Sequence, residues 1–157
     1  MILESIVGTA ISTAAPWVGE WAIVGVAGKL VESAVKRFKP DEMTLLLKQS
    51  IASAEAAQPK TGALFDRCHH DGYKGVKQFL EQFFLSGEVL KELQKPLQDN
   101  GKPDLAILIA AFKESAKQHP EAQHYLLNSL PLWMETFVES YFAQIKGICF
   151  QDRKSVV

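Results

Sequence analysis

Cys68, His69, His70 and Asp71 form the densest run of chemistry-bearing side chains in the sequence. Each of these types can ligate a transition metal, but four consecutive residues cannot easily converge on one ion. Zinc sites pair ligands at C-x₂₋₄-C or H-x₃₋₅-H spacing with a distant second pair. His119 and His124 are five apart, yet Pro120 between them disturbs the helical spacing such a pair would need. No metal site is therefore assigned, and the run is expected to be a polar turn with Cys68 facing inward. A nucleophilic Cys68 would need an activating base and a third group to orient it, and no spacing specifies either. Glu135 and Glu139 lie four apart on one helix face, opposite the apolar one, and read as a solvated surface rather than an acid/base pair. Gly25 to Lys29 is a partial match to a phosphate loop. The pattern requires G-x-x-x-x-G-K-[ST], whereas Ile23 stands at the first glycine position and Leu30 replaces the hydroxyl. The expectation is a chain with no catalytic residue, no cofactor and no metal, and hence not an enzyme.

What stands out instead is a pattern suited to association. Trp17, Trp21, Val24, Gly28, Val31 and Val35 step by four and three in alternation, and Phe38 continues the series. On one helix these residues would form a heptad-like stripe along which a partner helix can pack. Gly8, Ala10, Ala14, Gly19, Gly25 and Gly28 supply small residues of the kind that let helices approach closely. Lys29, Lys36, Arg37 and Lys39 gather at the C-terminal side of the stripe, where they suit a helix dipole or an anionic membrane surface. Three uses remain open for this region: packing in the core of the bundle, self-association, and engagement of a membrane surface.

The elements that must position these residues are helices. Met1 to Ala15 is weakly amphipathic, and Pro16 separates it from the stripe. Pro40-Asp41-Glu42 marks a helix start with acidic residues in the first turn, followed by an apolar face of Met43, Leu46, Leu47, Ile51 and Ala54. Lys60 to Gly75 is the least regular stretch. Val76, Phe79, Leu80, Phe83 and Phe84 then fit helical spacing, Ser86-Gly87 breaks it, and Val89, Leu90, Leu93 and Leu97 supply a successor. Asp99-Asn100-Gly101 signals a turn. Pro103 is expected to open a helix that is apolar almost all round (Leu105, Ile107, Leu108, Ile109, Phe112) and hence central. Tyr125 to Leu127 are expected to face inward. Pro131 opens the last helix, with a stripe of Met134, Phe137, Val138, Tyr141, Phe142, Ile145, Ile148 and Cys149. No run alternates with period two, so the fold expected is all-α, a single compact bundle of about six to eight helices over residues 1–151, with a frayed tail at 152–157.

Composition agrees with this reading and narrows the function classes. The chain has 157 residues, 47% of them hydrophobic, which is enough for one domain with its own core. Seventeen Lys and Arg against eighteen Asp and Glu leave a formal charge of -1, so no general field exists to hold a nucleic-acid backbone, and no nucleic-acid partner is expected. Two cysteines, Cys68 and Cys149, could form one bridge but not a disulfide framework, and read as reduced, buried thiols of a cytoplasmic protein. The first charge is acidic, Glu4, unlike the basic start of a secretory signal. Glu4, Pro16, Glu20 and Lys29 interrupt the apolar N-terminal stretch before it reaches the length of a membrane span.

Met1 to Val7 (MILESIV) with its Gly/Ala-rich continuation resembles the N-terminal helical region of bacterial, cyanobacterial-type NACHT/STAND NTPases, which are NLR-like. Trp133 to Phe142 (WMETFVESYF) and Gly147 to Gln151 (GICFQ) carry the same resemblance. In that family a helical N-terminal region precedes a nucleotide-binding module and a repeat sensor. The resemblance implies an effector or assembly role in signalling or antiviral defence. The sequence ends before any nucleotide-binding residues, so ATP binding is not carried over. The expected function is a non-enzymatic interaction module whose partner is protein, above all further copies of itself when tethered or clustered. The alternative is a membrane-disrupting effector whose N-terminal helices insert after oligomerisation, with cytoplasmic protein moving to an anionic membrane on activation.

Overall fold

The computed structural model describes residues 16–19, 21, 23–32, 39–57, 63–68, 72–98 and 101–156. They form seven α-helices: α1 (Pro16–Gly19), α2 (Val24–Glu32), α3 (Pro40–Ala56), α4 (Lys74–Leu85), α5 (Gly87–Gln98), α6 (Leu105–Lys117) and α7 (Leu130–Val156). Two 3₁₀ turns, Pro120–His124 and Leu127–Ser129, link α6 to α7. No strand occurs among the described residues, and none of their helices is long and apolar enough to cross a membrane. The protein is an all-α helical bundle.

Local chemistry explains where the helices begin and end. Pro40 occupies the first turn of α3, where its missing N–H costs no intrahelical bond, and Glu42 reaches back to accept the Lys39 N–H at 3.2 Å. α6 starts two residues after Pro103 because Asp104 is the better cap. Its carboxylate accepts the N–H groups of Ala106 (3.0 Å) and Ile107 (3.3 Å), satisfying two of the helix's orphan donors. Gly72 and Tyr73 both have positive φ (66° and 65°), a sharp left-handed corner that turns the chain into α4. Glycine adopts that region freely; the tyrosine is held there by stacking its ring on Trp17, centroids 5.1 Å apart.

The core is built around α3 and α7, the most extensively packed pair, with α2 lying against α3 and α4, α5 and α6 closing the other side. Aromatic rings dominate its centre. Phe112 meets Phe79 and Phe83 edge-on at 4.9 and 5.3 Å, and Trp133, Phe137 and Tyr141 stack successively along α7 at 5.7 and 5.9 Å. Such contacts add to the burial energy of the rings themselves. The buried Tyr141 hydroxyl donates to the Leu93 carbonyl at 2.5 Å, and burial pushes its pKa up.

Four sequence expectations need correction. Trp17 to Phe38 is not one continuous helix: α1 ends at Gly19, the Trp21 N–H turns back to the Val18 carbonyl at 3.2 Å, and α2 starts only at Val24. The alternating steps therefore do not define a single face. α6 is a flanking helix, since Leu108, Ala111, Phe112 and Ala116 are buried but Ile107 is exposed. Tyr125 faces inward as expected, whereas Leu127 is exposed. On α7, Met134, Phe137, Val138, Tyr141 and Ile145 are buried as expected, but Phe142 is half-buried under the Lys146 ammonium, 4.7 Å above its ring.

Candidate interaction face and the Glu55 cluster

The break between α1 and α2 sorts the stripe residues into two groups. Trp17 and Trp21 are core residues, 7% and 4% exposed, while Val24 is 57% exposed. Trp17 lies between Tyr73 and Phe65, stacked on the first and edge-on to the second at 6.2 Å. Trp21 packs on Trp17 and donates its indole N–H to Glu81 of α4 at 2.9 Å. Lys48 of α3 donates to the Gly19 carbonyl at 3.2 Å, so α1 is tied down by side chains from two directions. These two tryptophans clamp the N-terminal edge onto the bundle and do not offer themselves to a partner.

The outward face of α2 is different. Val24, Gly25 and Lys29 are exposed, and Gly28 and Val31 are half-buried, with Val31 packed against the core. Among the described residues no atom lies within 4 Å of the position a side chain would take at Gly25 or Gly28. A mid-helix glycine costs about 1 kcal/mol relative to alanine. Packing among the described residues therefore supplies no reason for either glycine. Val35, Lys36 and Arg37 lie outside the described residues. Lys29 forms an exposed pair with Glu32 at 3.6 Å, which partly offsets its charge, and Lys39 is exposed at the start of α3. Residues 1–15, which a membrane-inserting mechanism requires, also lie outside the described residues.

Of the metal-like run, Cys68 is buried as expected and ends the turn at 63–68; His69, His70 and Asp71 lie outside the described residues. Among the described residues no group of three or more His, Cys, Asp or Glu side chains could hold a metal ion. His119 packs edge-on to Phe79 at 5.3 Å with its Nδ1 buried and, among the described residues, without a hydrogen-bond partner, and His124 is exposed. Glu135 and Glu139 are exposed on α7, where Glu139 pairs with Lys102.

The most unusual group is one that the spacing of chemistry-bearing residues does not single out. Glu55, in the last turn of α3, is 7% exposed. Its Oε2 accepts the buried Trp133 indole N–H at 2.9 Å, and its carboxylate also accepts the Phe65 backbone N–H. Burial pushes its pKa up to about 7; the bonds from Trp133 and Phe65 pull it down, and the nearby Asp66 charge adds to the rise. A second buried carboxylate, Glu92, is balanced instead: it pairs with Lys95 at 2.7 Å and accepts the Asp104 N–H at 2.8 Å. The sequence does hold a signal for Glu55, since Met43, Leu47, Ile51 and Glu55 step by four along one apolar face.

The geometry thus presents an exposed face on α2 and a buried carboxylate cluster. Comparison with known proteins adds family membership. Searches of curated proteins and of solved structures returned no match. The sequence profile described as NACHT N-terminal Helical domain 2 matches residues 14–152, nearly the whole chain, and takes in all or most of every helix described above. The chain belongs to the NACHT N-terminal helical domain 2 family.

Proposed function

We propose that this chain is a non-enzymatic interaction module that works by association with further copies of itself, as an effector or assembly domain in NLR-like signalling or defence. The observation that carries this reading is the outward face of α2. Val24 is exposed there, and Gly25 and Gly28 leave room for another backbone to approach that nothing described in the monomer fills. Contacts of this size are weak in free solution. They become populated when a neighbouring module gathers several copies, because tethering raises the effective concentration to the millimolar range for short linkers. The isolated chain is accordingly a monomer or weak dimer in the cytoplasm, and clustering is its on-switch.

The test fuses the chain to an inducible oligomerising tag and follows assembly by sedimentation velocity over a concentration series. Wild type builds species larger than the tag alone dictates. Val24→Asp, with unchanged far-UV circular dichroism, loses them. Gly28→Ala separates folding from association: it raises helix stability by about 1 kcal/mol while weakening assembly. Assembly equal to wild type in both variants would sink the α2 face. Liposomes containing anionic lipid serve as the second arm; leakage that depends on clustering and on residues 1–15 would favour the membrane-disrupting effector instead.

A further inference from the structure

We propose that Glu55 is a proton-operated latch: protonated, it holds the 63–68 turn against α3 and α7, and ionised, it drives that turn to open toward water. The geometry around the carboxylate sets up this behaviour. Glu55 joins three elements at once, because it sits on α3, accepts from Trp133 of α7 and accepts from the Phe65 N–H of the turn. Among the described residues nothing positive balances its ionised form. Asp66 on the turn repels it, the phenol of Tyr73 at the start of α4 lies within its electrostatic reach, and α7 contributes the neutral indole of Trp133. The last turn of α3 adds the negative end of a helix dipole and contains no basic residue.

A buried carboxylate so placed loses its charge or finds water. The second course requires movement of the turn, because α3 and α7 are the most tightly packed helices in the bundle. The turn is the partner that lies outside the helices. Among its holds are the Glu55 bond, Leu64 accepting the Leu126 N–H at 2.9 Å, the burial of Leu64, Phe65 and Cys68, and the ring contacts of Phe65 with Trp17, Phe112, Tyr125 and Trp133. Opening it would uncover Phe65, on which Trp17 of α1 packs, and so loosen the N-terminal edge.

The direction and size of the response follow from linkage. The closed state binds a proton up to a pH of about 7, whereas a solvated glutamate releases it near 4.5. Between these values the ratio of open to closed molecules rises about tenfold per pH unit, and it levels off above 7. Raising the pH from 6 to 8 therefore increases opening about tenfold.

Cys68, buried in the turn, reports the opening through its rate of labelling by a small thiol reagent. The full chain carrying Cys149→Ser leaves this thiol alone, and comparison with Glu55→Gln at each pH cancels the titration of the thiol itself. The amide introduced by Glu55→Gln keeps one oxygen, able to accept the Trp133 indole N–H, and cannot ionise. The expected ratio of labelling rates, Glu55 protein over Glu55→Gln variant, rises about tenfold from pH 6 to pH 8. Asp66→Asn, at an exposed position, shifts the midpoint of that rise toward lower pH; should the Glu55→Gln variant not fold, the rate of the Glu55 protein over that of Asp66→Asn, which also cancels the thiol titration, rises as the pH approaches 7. A rate ratio that stays constant between pH 6 and 8, or a midpoint that Asp66→Asn leaves in place or moves upward, overturns the latch.

Discussion

Two indole–carboxylate hydrogen bonds of equal length, 2.9 Å, occupy different parts of this bundle. Trp21 donates to Glu81 at the N-terminal edge, where the carboxylate is only half-buried and keeps access to water. Trp133 donates to Glu55 at the centre, where the carboxylate is cut off from water and its pKa is pushed up to about 7. The same bond geometry thus fastens one region and sensitises the other. What differs is the solvent available to the charged form, since an ionised group carries a desolvation penalty that one indole N–H cannot offset.

The sharpest way to break this comparison is to remove each indole. Trp133 is fully buried and touches Phe65, Phe112 and Phe137, and its loss also removes a donor from Glu55. Trp133→Ala is expected to cost about 3–5 kcal/mol in urea unfolding, a large fraction of the stability of such a domain. Trp21→Ala is expected to cost less, because α1 is short and peripheral, and to loosen the N-terminal edge while the helices from α3 onward stay folded. Equal costs for the two variants would show that the edge and the centre unfold as one unit.

The pH dependence of stability sharpens the comparison further, and its sign is fixed by the direction of the Glu55 shift. The folded-state pKa of about 7 lies above the ordinary 4.5, so the folded protein binds the proton more tightly than the unfolded chain. The contribution of Glu55 is fully present below pH 4.5 and is lost as the pH rises through 7. Its size is about 3 kcal/mol over that window. Urea unfolding of wild type and Glu55→Gln from pH 5 to 8 isolates this contribution: the difference between them should grow in favour of the Glu55→Gln variant as the pH rises. A difference that shrinks with rising pH would mean that the ionised carboxylate is the stabilising form.

How much of this was legible in the sequence follows the same divide. The helices from Pro40 onward could be read because their apolar residues recur at helical spacing and proline, glycine or capping residues mark their ends. The N-terminal edge could not be read the same way. The steps from Trp17 to Phe38 are as regular as any in the chain, yet the helix breaks after Gly19, and a spacing rule contains no term for the bonds that Trp21 makes to Val18 and Glu81. α6 looked central because apolar residues fill its sequence on all sides, but Ile107 faces solvent; hydrophobicity alone does not say how many neighbours a helix has. Glu55 was hidden for the opposite reason. A carboxylate on an apolar stripe reads as an interruption until Trp133, 78 residues away in sequence, is seen to donate to it.

The smallest expected effect is at the other carboxylate. Glu81→Gln keeps an oxygen that can accept the Trp21 indole N–H, and it removes a charge that water already solvates. The substitution should change stability by less than about 0.5 kcal/mol, as for ordinary surface positions. The same chemical change at Glu55 is expected to matter by about 3 kcal/mol at high pH and hardly at all below pH 4.5. Measuring Glu55→Gln and Glu81→Gln side by side therefore tests whether burial alone distinguishes the two bonds. If Glu81→Gln reproduced the pH dependence predicted for Glu55→Gln, the carboxylate at the edge would be as isolated from water as the one at the centre. The N-terminal clamp would then be a second proton-sensitive joint rather than a plain fastening.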